Sequence, residues 1–203
     1  MAFSDYKTIE QVQTKFHIAY DDASFITAQE CEPSSSFLEE FTFNQQYLAL
    51  YSSEGSRTEA VIFPILREVY KAYSKDYELW IQKSMRYDED LKGTPLYLIA
   101  TRSPLGKTVL TMPVLIVVEA KRNDFDEGWG QCLAELVATQ KLNENEVLPV
   151  YGIVTDGKRW EFGKLCHNQF TQNIYGYSVD LLAQLFGVLQ QIFEIATHSL
   201  HKE

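Results

Sequence analysis

The 203-residue chain holds little that would tie it to a membrane, a disulfide framework or a general polyanion. No apolar stretch approaches the ~20 residues that span a bilayer. The two longest, Val114–Val118 and Leu181–Ile195, are short or broken by Gln, Gly and Glu. The opening MAFSDYKTIEQVQ has neither the basic start nor the apolar core of a signal peptide. Cysteine is scarce. Cys31, Cys132 and Cys166 form no CxxC pair, which argues against a zinc knuckle or a disulfide scaffold and points to a reducing, cytoplasmic setting. Cations are outnumbered: 18 Lys and Arg face 28 Asp and Glu, a formal net charge of -10. Nonspecific nucleic-acid affinity comes largely from phosphate neutralisation, so this balance argues against a general polyanion binder. The clusters Lys83/Arg86, Lys121/Arg122 and Lys158/Arg159 read, each alone, as solvated surface charge. Neither an internal repeat nor a low-complexity linker interrupts the chain.

What is present is core material. With 45% hydrophobic and 13% aromatic residues, the chain can fold as one domain over 1–203. Residues 1–55 read as a helical N-terminal extension. Tyr6, Ile9, Val12 and Phe16 stripe a helix over Asp5–Phe16 capped by Ser4, and Ser34–Ser36 offer caps for a helix from Phe37 through Leu48. A polar connector joins them. A helix over Arg57–Tyr73 follows, bent at Pro64. Strands are expected at Tyr77–Met85, Leu96–Thr101, Val114–Lys121, Val150–Thr155 and Lys158–Leu165, the last two joined at Asp156-Gly157. Helices are expected at Phe125–Lys141 and over 178–197. This order predicts an α/β fold with a mixed central sheet flanked by helices.

The chemistry concentrates at PVLIVVEAK, Pro113–Lys121. An unbroken Val, Leu and Ile run reads as a strand buried on both faces. Side chains two apart on a strand share a face, so Glu119 and Lys121 project together from its end. A carboxylate beside an ammonium at such an edge is the minimal equipment for holding a divalent metal and orienting a water.

A helix carrying Glu59, a strand introduced by Gly93-Thr94-Pro95, the VVEAK strand and a helix bearing Gln131 together resemble the PD-(D/E)XK nuclease superfamily. The nearest flavour is the N-terminal nuclease domain of type I restriction-enzyme motor subunits and small stand-alone relatives. The resemblance covers roughly 57–165. It implies a restriction-endonuclease-like fold, a bacterial source and Mg²⁺- or Mn²⁺-dependent hydrolysis of DNA phosphodiesters. Residue by residue, it makes Glu119 the metal ligand, Lys121 the water-orienting cation, and Glu59 and Gln131 supporting groups. Hard oxygen ligands suit such ions.

The departure lies at position 96. The family's Asp follows this Pro, and here the residue is Leu96, which cannot ligate a hard cation. Asp90, or Asp88, in YDEDLKG is the candidate to replace it. Position 96 thus separates an active nuclease from a nuclease-fold binding or assembly module, with a protein partner or a second copy as its ligand. A third reading, an unrelated ligand-binding α/β domain, requires Glu119 and Lys121 to face open solvent far from Glu59.

Other signals are weaker. Gly106-Lys107-Thr108 lacks the first glycine of a phosphate loop and reads as a turn. His198 and His201 read as tail, Cys132 as a buried apolar residue, and Trp129 and Trp160 as core.

Overall fold

The computed structural model describes residues 1–27, 29–121 and 124–201. Among them, ten strands follow in chain order: β1 (Ala19–Ala23), β2 (Tyr77–Ile81), β3 (Met85–Arg86), β4 (Lys92–Gly93), β5 (Tyr97–Thr101), β6 (Val114–Ala120), β7 (Val150–Thr155), β8 (Arg159–Cys166), β9 (Gln169–Asn173) and β10 (Tyr177–Ser178). The α-helices are α1 (Ile9–Phe16), α2 (Ser35–Tyr47), α3 (Glu54–Arg57), α4 (Phe63–Tyr70), α5 (Phe125–Asn143) and α6 (Leu182–His198). The sheet runs β1-β9-β8-β7-β6-β5-β2, with β10 paired to β8, and β3 and β4 form a separate small ribbon. Pairs β1/β9 and β6/β7 are parallel and the rest antiparallel. The expected α/β architecture with a mixed central sheet is therefore present, with helices on both faces.

The apolar run places β6 at the middle of this sheet, and all seven of its residues are buried. Parallel neighbours need a crossover, and α5 supplies it between β6 and β7. Asp124 caps α5 by accepting a hydrogen bond from the Glu127 N–H at 2.9 Å. One face of the sheet packs against α1 and α5 through Val117, Leu98, Val154, Leu133 and Val137. The other packs against α2, α4 and α6 through Val118, Ile116, Ile65, Leu189 and Phe193. Gly130 lets α5 approach the segment before α1, because a Cβ there would meet the Thr8 backbone nitrogen at 2.5 Å. Gly157 turns the β7–β8 hairpin at φ +88°, which favours glycine.

The structure changes several expectations. Residues 1–55 are not a purely helical extension: the expected connector contains β1, which pairs with β9 at the sheet edge. Four of its five residues are exposed, so it is held by ladder hydrogen bonds and leaves no apolar alternation in AYDDA. The first helix starts later than expected, at Ile9 under a Thr8 cap. The helix expected over Arg57–Tyr73 begins at Glu54 and contains a π turn, Thr58–Ile62, just before Pro64. Proline has no N–H to continue the ladder, and the Phe63 N–H reaches back five residues to the Thr58 carbonyl. The strand from Tyr77 ends at Ile81, because Gln82 takes a left-handed conformation at φ 47°. Trp129 and Trp160 are core residues, as expected. None of the helices among the described residues is long and apolar enough to cross a membrane. Arg122 and the His201 side chain, each half of an expected pair, lie outside the described residues.

Candidate functional site

Glu119 alternates with Val117 along β6 and faces α5. It is 7% exposed. Two residues of α5 meet it from the helix side. Gln131 is 7% exposed and Glu135 fully buried, one turn further along. The Gln131 amide donates to Glu135 Oε1 at 3.1 Å. Three oxygens on these side chains are buried without any hydrogen-bond partner: Glu119 Oε2, Gln131 Oε1 and Glu135 Oε2.

The sequence reading missed Glu135. Its signal was a lone carboxylate in the otherwise apolar run CLAELVA, Cys132–Ala138, all of it buried in the structure.

Burial dominates the electrostatics. It pushes the Glu119 carboxyl up from its ordinary 4.5 to about 7, and the charge of Glu54 adds to the rise. The Lys121 charge, the Leu96 N–H and the Gln131 amide pull the other way. Glu135 is likewise raised well above 4.5, by burial first and then by the charge of Glu119. Burial likewise drives the Cys132 thiol well above its usual range, which makes it an inert apolar neighbour.

Lys121 stands beside Glu119 at the strand end, as the alternation predicts, and its side chain is 24% exposed. Its ammonium pairs with Glu127 Oε1 at 3.3 Å, which also takes Lys7 at 2.8 Å. Arg159 lies over the Phe125 ring, at the same end of α5, and pairs with Glu161 at 2.8 Å. Lys7 and Lys121 thus share Glu127 near the start of α5, and Arg159 is held by Glu161.

Glu59 is not brought into this group. It is exposed, lines a shallow cleft with Asn44, Ser52 and Ser56, and its charge is felt at Tyr97. The acidic side chain of that helical segment whose charge reaches Glu119 is Glu54. Asp90 is not brought in either. Its carboxylate pairs with Lys15 at 2.9 Å and with the chain's amino terminus at 3.4 Å. Lys15 chiefly holds it below the usual range. Asp88 caps its own loop, accepting from the Asp90 and Leu91 N–H groups.

Position 96 does lie where the sequence put it. Tyr97 pairs with Val118, so the next step of the register sets Leu96 against Glu119. What Leu96 offers Glu119 is its backbone N–H, and its side chain joins the apolar core under α2, α4 and α6. A hydrolytic metal held by a carboxylate on that strand does not fit these residues. No group of three His, Cys, Asp or Glu able to hold a metal forms among the described residues.

No protein-family model and no curated protein matches the chain. Among solved structures it is similar to a chain in a cryo-EM structure of a DrdV–DNA complex. The TM-score is 0.45 at 12% sequence identity, over 79% of this chain and only 14% of that much longer one. A likeness of that degree sets neither fold family nor function.

Proposed function

We propose that this chain is a nuclease-fold protein of the cytoplasm whose hydrolytic site is incomplete, so that it acts on DNA as a binding or assembly module and not as a nuclease. The observation that carries the reading is Leu96. The Glu-x-Lys strand end, the crossover helix and its inward Gln131 follow the layout of a PD-(D/E)XK site. The register position opposite Glu119 supplies an N–H in place of a carboxylate. A bound Mg²⁺ or Mn²⁺ would lower the pKa of a water and stabilise charge on the phosphate, and that chemistry needs the missing acid. Lys7 and Lys121, which share Glu127, and Arg159, which pairs with Glu161, are the cations that a DNA phosphate would draw on near the start of α5, against the acidic balance of the whole chain.

The test is divalent-dependent cleavage of plasmid and single-stranded DNA by the natural chain, Leu96→Asp, and Leu96→Asp with Lys121→Ala. The expected outcome is cleavage by Leu96→Asp alone, with DNA retained by the natural chain in a gel-shift assay. Cleavage by the natural chain would overturn the reading. The replacement acid would then be sought at Glu135 and not at Asp90, which Lys15 and the amino terminus already occupy.

A further inference from the structure

We propose that the cleft beside α2 docks a basic amphipathic segment of a partner protein. A surface helix needs one apolar stripe to hold it on the core. α2 has a second. Phe37 and Phe41 turn inward and stack at 5.3 Å between centroids, and Phe37 meets Phe186 of α6 at 5.0 Å. Phe43, Tyr47 and Leu48 turn outward and are 58%, 64% and 48% exposed. Phe43 and Tyr47 are four apart, so they share one helix face, and their rings meet at 4.9 Å. A lone exposed apolar residue is ordinary, whereas a contiguous row beside a cleft marks an interaction site.

The cleft holds about 440 Å³ between Asn44 and Leu48 at the end of α2 and Glu59 and Ala60 of the π turn. Pro64 has no N–H to give the Ala60 carbonyl four residues back. The Asn44 amide donates to that carbonyl instead, at 3.3 Å. This bond ties α2 to the π turn, so the two walls are set before anything binds. Single π turns inside helices recur at functional sites.

Charge decides the occupant. Between Ser34 and Ala60 the carboxylates Glu39, Glu40, Glu54 and Glu59 are all exposed, and the one cation, Arg57, is buried. Glu40 pairs with Arg67 at 3.2 Å. Glu39, Glu54 and Glu59 enter no ion pair among the described residues. Such a rim repels nucleic-acid phosphate and anionic lipid, and a second copy would bring the same carboxylates to face it. A segment with lysines and arginines flanking an apolar anchor meets both features. The anchor lies on Tyr47 and Leu48, and its cations reach Glu59 and Glu54. The docking surface belongs to the assembly half of the proposed function and rests on it, yet it shares no residue with the Leu96 test.

The experiment is fluorescence anisotropy of a labelled synthetic peptide, titrated with the protein in the absence of DNA. The peptide spans about four helical turns, with leucines along one face and lysines and arginines on the other. The natural chain should bind it. Phe43→Ser combined with Tyr47→Ser leaves the net charge unchanged and should weaken binding about tenfold. Glu59→Lys should weaken it by a similar factor, and a peptide with its cations replaced by glutamates should not bind. Glu59→Lys, at an exposed position, keeps the test decisive should the double variant fold poorly. Failure of the natural chain to bind the basic peptide, or equal binding by both variants, would overturn the proposal. So would a dimer of the natural chain in sedimentation equilibrium that the double variant abolishes. Failure of this titration leaves the Leu96 cleavage test untouched, and the reverse also holds.

Discussion

The two faces of the central sheet are covered by helices of opposite character. Under α6 the contact is apolar, with Leu185, Val188, Leu189, Ile192 and Phe193 all buried, and the one buried hydroxyl on that helix, Thr197, donates to the Phe193 carbonyl at 2.8 Å. Under α5 the same kind of packing is interrupted by Gln131, Glu135 and Thr139, each of which leaves an oxygen unpartnered. One face is built to hold the fold. The other gives up stability to keep polar atoms in the core, the usual mark of a functional site.

The contrast can be broken most severely from the apolar side. Phe193→Ala removes a fully buried ring that packs on Tyr73 at 5.1 Å between centroids. It should cost about 3–5 kcal/mol, and lower the melting temperature by roughly 10 °C in calorimetry. On the α5 face the sign should reverse. Gln131→Met combined with Glu135→Leu replaces both partners of a buried polar pair by apolar groups of similar size. Chemical denaturation of the metal-free double variant should show a gain of ~1–3 kcal/mol. A loss of that size would mean that the polar row supports the core.

The pH dependence sharpens the same comparison. Burial raises the Glu119 carboxyl to about 7 in the folded chain against an ordinary 4.5, and raises Glu135 well above 4.5 too. The folded state therefore holds more protons than the unfolded state above pH 4.5, and stability of the metal-free protein falls as pH rises through 7. Urea midpoints measured from pH 5 to 8 should decline in the natural chain and flatten when Glu119 and Glu135 are both changed to Gln. The smallest effect belongs to the rim. Glu127→Gln loosens Lys7 and Lys121, which are 54% and 24% exposed, and should change stability by less than ~1 kcal/mol.

The central strand, its crossover helix and the β7–β8 hairpin were legible in the sequence because burial on both faces leaves continuous apolar runs. The edge strands β1 and β9 were not. AYDDA and QFTQN are stabilised by each other's backbone, which side-chain patterns do not record. At the site, strand alternation was enough to set Lys121 beside Glu119 and Leu96 opposite it. The π turn was invisible, and so was the position of Glu54, and not Glu59, as the acid of that segment whose charge Glu119 senses. Asp90 looked free in a polar loop, yet its partners, Lys15 and the amino terminus, lie more than seventy residues away in sequence.

The pairing of β1 with β9 has a consequence for how the chain reaches this state. Ala19 waits for Gln169, so the sheet edge closes only after most of the chain has been made. Contacts this distant in sequence slow folding. During synthesis β1 is an orphan strand, and an exposed strand edge invites pairing with other chains. Asp21 and Asp22 place adjacent negative charges in it, which discourages such pairing until β9 emerges. The acidity of AYDDA thus guards a nascent edge, and goes on guarding the outer edge that β1 still presents once β9 has docked.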